Sequence, residues 1–471
     1  MQFTSRIDIM KITVISGSPK GDLSVTFQYV RFIMKKNPDH EWGVHHVGRN
    51  IGRLAKDRDA FAAIMDDVSG SDAVLWATPV YVALVPSQLK RFVEMVFAGE
   101  NRAAFAGKYA GVITTSIHFY DHTAHNYLRA ISEDLEMHFA GSFSPDMYDL
   151  MKSEEQQRLL QYAELFLSAA ANRPPVPKAF APLARSGFAY EASPVPSDSR
   201  KTGIQGLKVV VIRDDNEPGT NLDAMVRRFT DTFAEVIPVY CLDEMHISGG
   251  CLGCCQCGLD YRCVYTGKDA FIDFYRDTVM AADVVVLAGT VVDRYLSWKW
   301  KQYFDRRFFN THTPTLINKQ MGYLVSGPLR ELPNLRQIME ASAEWEQANL
   351  VDIVTDECAD SLLLDERITA FADNLMACAA ARYVRPRTFL GVGGMKVFRD
   401  DVWGRLRFVF QADHAWYEAN GVYDFPQYDE KTIKINKSMI QAMEDPDTRE
   451  SIRKMIKSKM VEPHQHIVET R

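Results

Sequence analysis

One stretch of this chain is written twice. DAVLWATPVY followed by PSQLKRFVE, beginning at Asp72 and Pro86, returns as DVVVLAGTVV followed by WKWKQYFDRRF, beginning at Asp283 and Trp298. Each copy couples a near-continuous apolar run to an amphipathic helical pattern; in the first, Leu89, Phe92, Val93 and Val96 recur at helical spacing. Apolar runs without polar alternation read as strands buried on both faces, and such strands separated by helices form parallel sheets covered on both sides. The rhythm continues around both copies. Lys11–Ser16 and Tyr109–Thr115 join Asp72–Ala77 in the first half, with helical patterns at Leu23–Met34 and Pro86–Val96. Leu207–Ile212, Ile237–Cys241, Gly322–Ser326 and Leu350–Thr355 join Asp283–Val292 in the second, with a helical pattern at Asn221–Val236. The spacing predicts an α/β chain with two doubly wound five-stranded parallel sheets in tandem.

The domain organisation follows from where the rhythm stops. Residues 1–171 form the first domain. Residues 172–206 hold six prolines and no periodicity, which reads as a partly extended interdomain linker. Residues 207–385 form the second domain. Residues 386–471 form a mainly helical extension rich in aromatics and charge, with Phe398, Trp403, Phe408, Phe410 and Trp416 on the stretch around Arg399–Tyr417. Its Gly391-Val392-Gly393-Gly394 is too weak a signal for a nucleotide loop, and its apolar helix face is expected to pack on the second domain, with covering a flavin or forming an oligomer contact as the alternative. A net charge of −7 and a pI near 6.0 argue against nucleic acid as a partner. The longest apolar run, Val284–Val292, is far too short to span a membrane. The N-terminus lacks a signal-peptide layout, Met10 is an alternative start, and the clustered cysteines suit a reducing cytoplasm.

Directly after the first strand stands Ser16-Gly17-Ser18-Pro19-Lys20-Gly21-Asp22-Leu23-Ser24-Val25-Thr26, running into a helix. A strand, a hydroxyl-rich loop and a helix N-terminus make a phosphate cradle from backbone N–H groups, the helix dipole and Ser and Thr donors. An ordinary Ser/Gly/Pro turn with a capping hydroxyl is the competing reading. GSPKGDLSVT followed by TPVYVALVPSQLKRF at Thr78–Phe92 resembles the NADPH-dependent FMN reductase-like branch of the flavodoxin superfamily. The resemblance implies two flavodoxin-like domains, with FMN in the first. Its phosphate would lie at Ser18, Lys20, Ser24 and Thr26, its isoalloxazine along Pro79, Val80 and Tyr81, and its closing loop at Thr115 and Ser116. His118, His122 and His125 follow at helical spacing and read as surface or capping histidines.

The second half carries the sulfur. Cys251, Cys254, Cys257 and Cys263 form a C-x2-C-x2-C-x5-C run, with Cys255 inside it as a packing residue. Crowded thiolates favour a soft cation or a metal–sulfur cluster, and Gly250, Gly253 and Gly258 supply backbone freedom around them. Zinc, redox-active thiols and a loop that holds nothing remain open. The run is similar to that of the iron–sulfur flavoproteins of the same superfamily, which implies a [4Fe–4S] cluster on Cys251, Cys254, Cys257 and Cys263. Cys241, Cys358 and Cys378 read as buried core thiols. The second phosphate loop has diverged: Asp214, Asp215 and Glu217 stand where a dianion needs donors, so a second FMN is disfavoured.

The function expected is an FMN-dependent oxidoreductase moving electrons between NAD(P)H or a carrier and an acceptor, through the cluster. The alternatives are a cluster-free NAD(P)H:FMN or quinone reductase, and a non-catalytic electron carrier or cysteine-based redox sensor. The expected partners are a small-molecule or protein electron donor or acceptor and a second copy of the chain, with no nucleic acid and no membrane. No catalytic residue stands out.

Overall fold

A computed structural model describes residues 9–201, 204 and 206–470. The N-terminal eight residues, which hold most of the segment compared with a signal peptide, linker positions 202, 203 and 205, and Arg471 lie outside the described residues.

The first half is a five-stranded sheet of β1 (Lys11–Ser16), β2 (Glu41–His45), β3 (Ala73–Pro79), β4 (Tyr109–Thr115) and β5 (His138–Phe143), in the order β2-β1-β3-β4-β5. The second is a sheet of β6 (Val209–Arg213), β7 (Val239–Cys241), β8 (Val284–Thr290), β9 (Gln320–Ser326) and β10 (Asn349–Thr355). Read from its first edge, its order is β7-β6-β8-β9-β10, the same winding. Every neighbouring pair in both sheets is parallel. The expected tandem flavodoxin-like architecture is what the chain adopts. The central strands β3, β4 and β8 are almost wholly buried, as their unbroken apolar text requires. The edge strands β2 and β5 are half-exposed and include glycine, so no apolar run announced them.

The duplication is metrical. Adding 211 to the first residues of β3, of the helix Ser87–Phe97, of β4 and of β5 (73, 87, 109 and 138) gives 284, 298, 320 and 349. Those are the first residues of β8, of the helix Trp298–Arg306, of β9 and of β10.

The two duplicated helices pack on each other, and their contacts are reciprocal. Glu94 Oε1 accepts the N–H of Trp298, the first residue of the opposite helix, at 2.6 Å. Asp305 Oδ2 accepts the N–H of Ser87, the first residue of its counterpart, at 2.7 Å. Each carboxylate therefore satisfies an orphan donor at the positive end of the other helix. The paired lysines Lys90 and Lys301 are fully buried. Lys90 binds Glu94 on its own helix and reaches Asp293 of the second half at 3.0 Å. Lys301 binds Asp305 and donates to the Tyr81 carbonyl of the first half at 2.8 Å. Burial pushes the Asp305 carboxyl up and the Lys301 ammonium down, while their mutual attraction opposes both shifts. The two halves are a pseudo-dimer joined through a pseudo-twofold interface of buried charge.

The residues through His414 form one compact unit, and Ala415–Arg471 form another. In the first unit, the helix Phe389–Trp403 begins against Glu344. That carboxylate accepts N–H groups from Thr388 at 2.9 Å and Gly391 at 2.7 Å. A Cβ on Gly391 would stand 2.7 Å from that of Glu344, so the glycine text of the extension serves close packing. In the second unit, no residue of the helix Glu430–Ala442 is buried. Among the described residues, no helix is long and apolar enough to cross a membrane.

Candidate functional site

Beyond the carboxyl ends of the first sheet lies a cavity of about 580 Å³, within the range of about 300–1,000 Å³ usual for small-molecule sites. It is walled from three directions. The first domain contributes Lys20, Pro79, Val80, Tyr81, Thr115 and Ser116. The second contributes Cys251, Gly253, Cys254 and Cys255 together with the segment around His312. The extension contributes Met395, Phe398, Leu406, Val409 and Phe410. The extension's aromatic face thus closes the cavity instead of only packing on the second domain.

Six of the nine residues expected at the flavin therefore stand on one wall, and the other three lie buried behind it. Ser18 Oγ accepts the Lys20 N–H at 3.2 Å and so fixes the loop turn. Thr26 Oγ1 and Thr115 Oγ1 are 2.6 Å apart and tie the first helix to β4. Ser24 Oγ is buried with no hydrogen-bond partner. A buried hydroxyl left unpaired costs about 1–3 kcal/mol, and a phosphate oxygen would satisfy it. The loop after β3 is strained: Val82 and Ala83 hold φ of 42° and 63° between the paired residues Tyr81 and Leu84. A β-branched residue in that region is costly, and strain of this kind gathers at ligand clamps. The chemistry of these donors and the apolar strap fits FMN.

Opposite the strap sits the cysteine loop. Gln88 Nε2 donates to the Cys251 carbonyl at 3.0 Å, and a Cβ on Gly253, whose φ is +61°, would fall 1.7 Å from the Tyr81 hydroxyl. Only glycine lets the loop pass this close to the strap. The Tyr81 hydroxyl is buried without a partner, and burial, reinforced by the neighbouring thiols, drives its pKa well up. Cys251, Cys254, Cys257 and Cys263 surround one small void of about 20 Å³, which Cys255 and Arg306 also line. Burial pushes the Cys251 thiol up to about 12 and Cys257 higher still, so both are protonated thiols unless a cation draws them to thiolates. The Gly253 N–H points at Cys251 Sγ at 3.4 Å, a contact that stabilises a thiolate ligand. Among the described residues, however, no group of three or more His, Cys, Asp or Glu side chains is gathered as a metal site. The four thiols line one void, but their side chains are not gathered around a common point that could hold an ion. Cys255 is a cavity-wall residue with φ of 55°. Cys241 is buried as expected, but Cys358 and Cys378 are only half-buried and so depart from the core reading.

The equivalent face of the second half is filled by the chain itself. The Val291 and Val292 carbonyls, 211 residues beyond Val80 and Tyr81, accept Arg185 Nη1 at 2.9 Å and Nη2 at 2.5 Å from the linker. The Asp356 carboxylate takes the Ser326 hydroxyl at 2.7 Å, the Gly327 N–H at 2.9 Å and Asn221 Nδ2 at 2.8 Å. Asp214 is buried against Ser297 Oγ, and burial raises its carboxyl to about 6. Internal carboxylates thus occupy donors of the loops that would meet an anion. The three histidines after β4 do not converge. His118 pairs with Asp121 at 2.9 Å, His122 meets Gln337 at 3.3 Å, and His125 meets Thr114 Oγ1 at 2.6 Å.

Residues 10–145 match the sequence model of the NADPH-dependent FMN reductases. The matched residues run from just before β1 to just past β5, so the likeness covers the first sheet. Solved structures resembling the chain include an NADH:FMN oxidoreductase in its apo form, 20% identical over 34% of this chain and 89% of that one, with a TM-score of 0.30. Another is the flavoenzyme NAD(P)H:(acceptor) oxidoreductase of Paracoccus denitrificans, 18% identical over 34% and 99%, TM-score 0.26. A third is an FMN-dependent NADH-azoreductase of Bacillus anthracis in complex with FMN, 14% identical over 35% and 99%, TM-score 0.26. No curated protein matches the chain.

Proposed function

We propose that this chain is an FMN-dependent NAD(P)H oxidoreductase whose single flavin, in the first half, exchanges electrons with a [4Fe–4S] cluster on the second. One observation carries the reading: the flavin wall and the cysteine loop line the same cavity. FMN would supply hydride chemistry together with one-electron release, and a cluster would supply single-electron storage. Ser18, Lys20, Ser24 and Thr26 would hold the phosphate, Pro79, Val80 and Tyr81 the ring, and Thr115 and Ser116 the closing loop. Cys251, Cys254, Cys257 and Cys263 would ligate iron. The apolar face of the extension excludes water from the cavity, which strengthens the polar contacts inside it. A small-molecule acceptor suits a cavity of this volume better than a docked protein.

A second reading is favoured by the ungathered thiols: a cluster-free FMN reductase whose cysteine loop is structural. Protein purified without oxygen separates the two. Bound flavin, about four iron and four sulfide per chain, and bleaching of the flavin by NADH or NADPH support the first. Bound flavin and bleaching with no iron after anaerobic reconstitution, and identical behaviour of Cys254→Ala, leave the second. Absence of bound flavin refutes both.

A further inference from the structure

Between the helix Phe389–Trp403 and the helix Gln411–Ala419, residues 404–410 run as successive turns, with Arg407 N–H on the Gly404 carbonyl at 3.3 Å and Val409 N–H on the Leu406 carbonyl at 3.0 Å. Leu406, Val409 and Phe410 line the cavity, while Phe408 is exposed. The two ends of this segment are held in different ways.

The end on the second half is fixed. A Cβ on Gly258, in the short helix Cys257–Asp260, would stand 2.3 Å from the Val409 carbonyl oxygen and 2.9 Å from the Phe410 ring. Just beyond, Asp413 is fully buried. Its carboxylate accepts the Thr311 hydroxyl, the Thr313 hydroxyl at 3.0 Å and the His312 N–H at 3.2 Å, and its Oδ2 meets His312 Nδ1 at 2.7 Å. The His312 ring is clamped, 3.8 Å from the Phe398 ring and edge-on to Phe410 at 4.6 Å. Pulling this end away would strand a buried carboxylate and its donors, which is costly.

The end on the first half is a single ion pair. Arg405 Nη1 donates to Asp146 Oδ1 at 2.7 Å and Nη2 to Asp146 Oδ2 at 2.6 Å, and the guanidinium lies 5.2 Å from the ring of Tyr148, a cavity-wall residue. Asp146 is bridged to Ser116, where the flavin reading places the closing loop. Burial raises the Asp146 carboxyl, but the Arg405 and Tyr148 hydrogen bonds outweigh it and hold the group below the usual carboxylate range, so the pair is charged at neutral pH. Arg405 is nevertheless 37% exposed, and it also binds Asp401 on its own side, Nε to Oδ1 and Nη2 to Oδ2, both at 3.0 Å. Released from Asp146, the guanidinium keeps Asp401 and gains water, and Asp146 keeps the Tyr148 N–H at 3.0 Å. An exposed pair with such a fallback is weakly held. This is the end that can open.

We propose that residues 404–410 are a lid over the flavin, anchored on the second half and latched to the first by Arg405 and Asp146. The lid opens at the latch to admit and release FMN, and closing it retains the cofactor. The inference rests on the flavin reading. Its apolar inner residues suit a planar heteroaromatic ring, and the latch joins the extension to the loop assigned to close the flavin site.

The full chain loaded with FMN tests this. FMN release is followed on dilution by the recovery of free-flavin fluorescence, and lid opening by the rate of trypsin cleavage after Arg407, read by mass. Arg405→Ala should speed both by about fivefold, the worth of one half-exposed ion pair. Asp146→Asn, which keeps an acceptor for the Tyr148 N–H, should act in the same direction. The double variant should be no faster than Arg405→Ala, because both substitutions remove one interaction. Tm should stay within about 2 °C of wild type in all three. Unchanged release or cleavage in Arg405→Ala, additive effects in the double variant, or a larger fall in Tm overturns the lid. A wild-type chain that binds no flavin refutes the flavin reading instead, and the proposal falls with it.

Discussion

Asp305 is where the pseudo-dimer interface is most exposed to a single substitution. It is fully buried, it faces the fully buried Lys301, and it caps the helix that follows the Tyr81–Leu84 strap. Asp305→Asn keeps the shape and leaves an acceptor for the Ser87 N–H, so it removes only the charge opposite Lys301. An uncompensated buried charge costs about 3–5 kcal/mol. In a unit of this size each kcal/mol shifts Tm by on the order of 1–2 °C, extrapolating from smaller domains. The expected fall is therefore on the order of 5 °C. The mirror substitution Glu94→Gln should cost less, about 1–2 kcal/mol, because Lys90 keeps Asp293 at 3.0 Å. Lys301→Met combined with Asp305→Asn should recover more than half of the single-variant loss, since no charge is left stranded. Thermal unfolding followed by circular dichroism reads all four proteins. The release rate of FMN is a second readout, because Lys301 also holds the Tyr81 carbonyl. The reasoning is refuted if Asp305→Asn unfolds within 1 °C of wild type, or if the double variant is no better than the single.

Three further outcomes follow from the same geometry. Flavin should bind at one FMN per chain. Ser24→Ala should weaken it about tenfold, the value of one hydrogen bond to a charged group, and Arg185→Ala should leave the ratio at one, both by fluorescence titration. Gly253→Ala should drive Tyr81 and the cysteine loop apart, lowering Tm by several degrees and raising the FMN dissociation constant; unchanged values would show that the approach at Gly253 is not constrained. His125 is held neutral by burial, its pKa lowered to about 4 from an ordinary 6.5. The unfolded chain therefore takes up more protons between those values, and stability should fall as pH drops from 6.5 toward 4. The loss is at most about 3 kcal/mol, and His125→Gln should flatten that part of the profile in urea titrations.

What could be read from the chain beforehand was what local text encodes. Buried parallel strands announce themselves as unbroken apolar runs, so β3, β4 and β8 were legible, and the loop after β1 was legible as hydroxyls between a strand and a helix start. The half-exposed edges β2 and β5 have no such text. Lys90 and Lys301 read as the wet face of two amphipathic helices, and only the pairing of the halves buries them. The prolines of residues 172–206 signalled irregular chain, but not that Arg185 would meet the Val291 and Val292 carbonyls. His312 and Asp413, 101 residues apart, meet only because the extension folds back, so no spacing rule could join them.

The decay of the second phosphate loop and the use of its domain for other work are linked by the same chemistry. A flavin site needs donors left open toward a dianion. Once Asp356 and the Arg185 of the linker occupy those loops from within, the second domain no longer needs a ligand to satisfy them. Its remaining contribution is geometric. The pseudo-twofold axis that pairs Lys90 with Lys301 brings the face bearing Cys251 and His312 across from the Tyr81 strap of its partner half. A symmetric homodimer would build two equivalent flavin sites at such an interface. Fusing the copies lets them diverge, so that one wall keeps the phosphate donors while the other acquires thiols and a clamped imidazole. The asymmetry of the cavity follows from that divergence, and Cys254→Ala on the second-half wall, unlike Gly253→Ala, should alter how electrons leave the site without altering how tightly flavin binds.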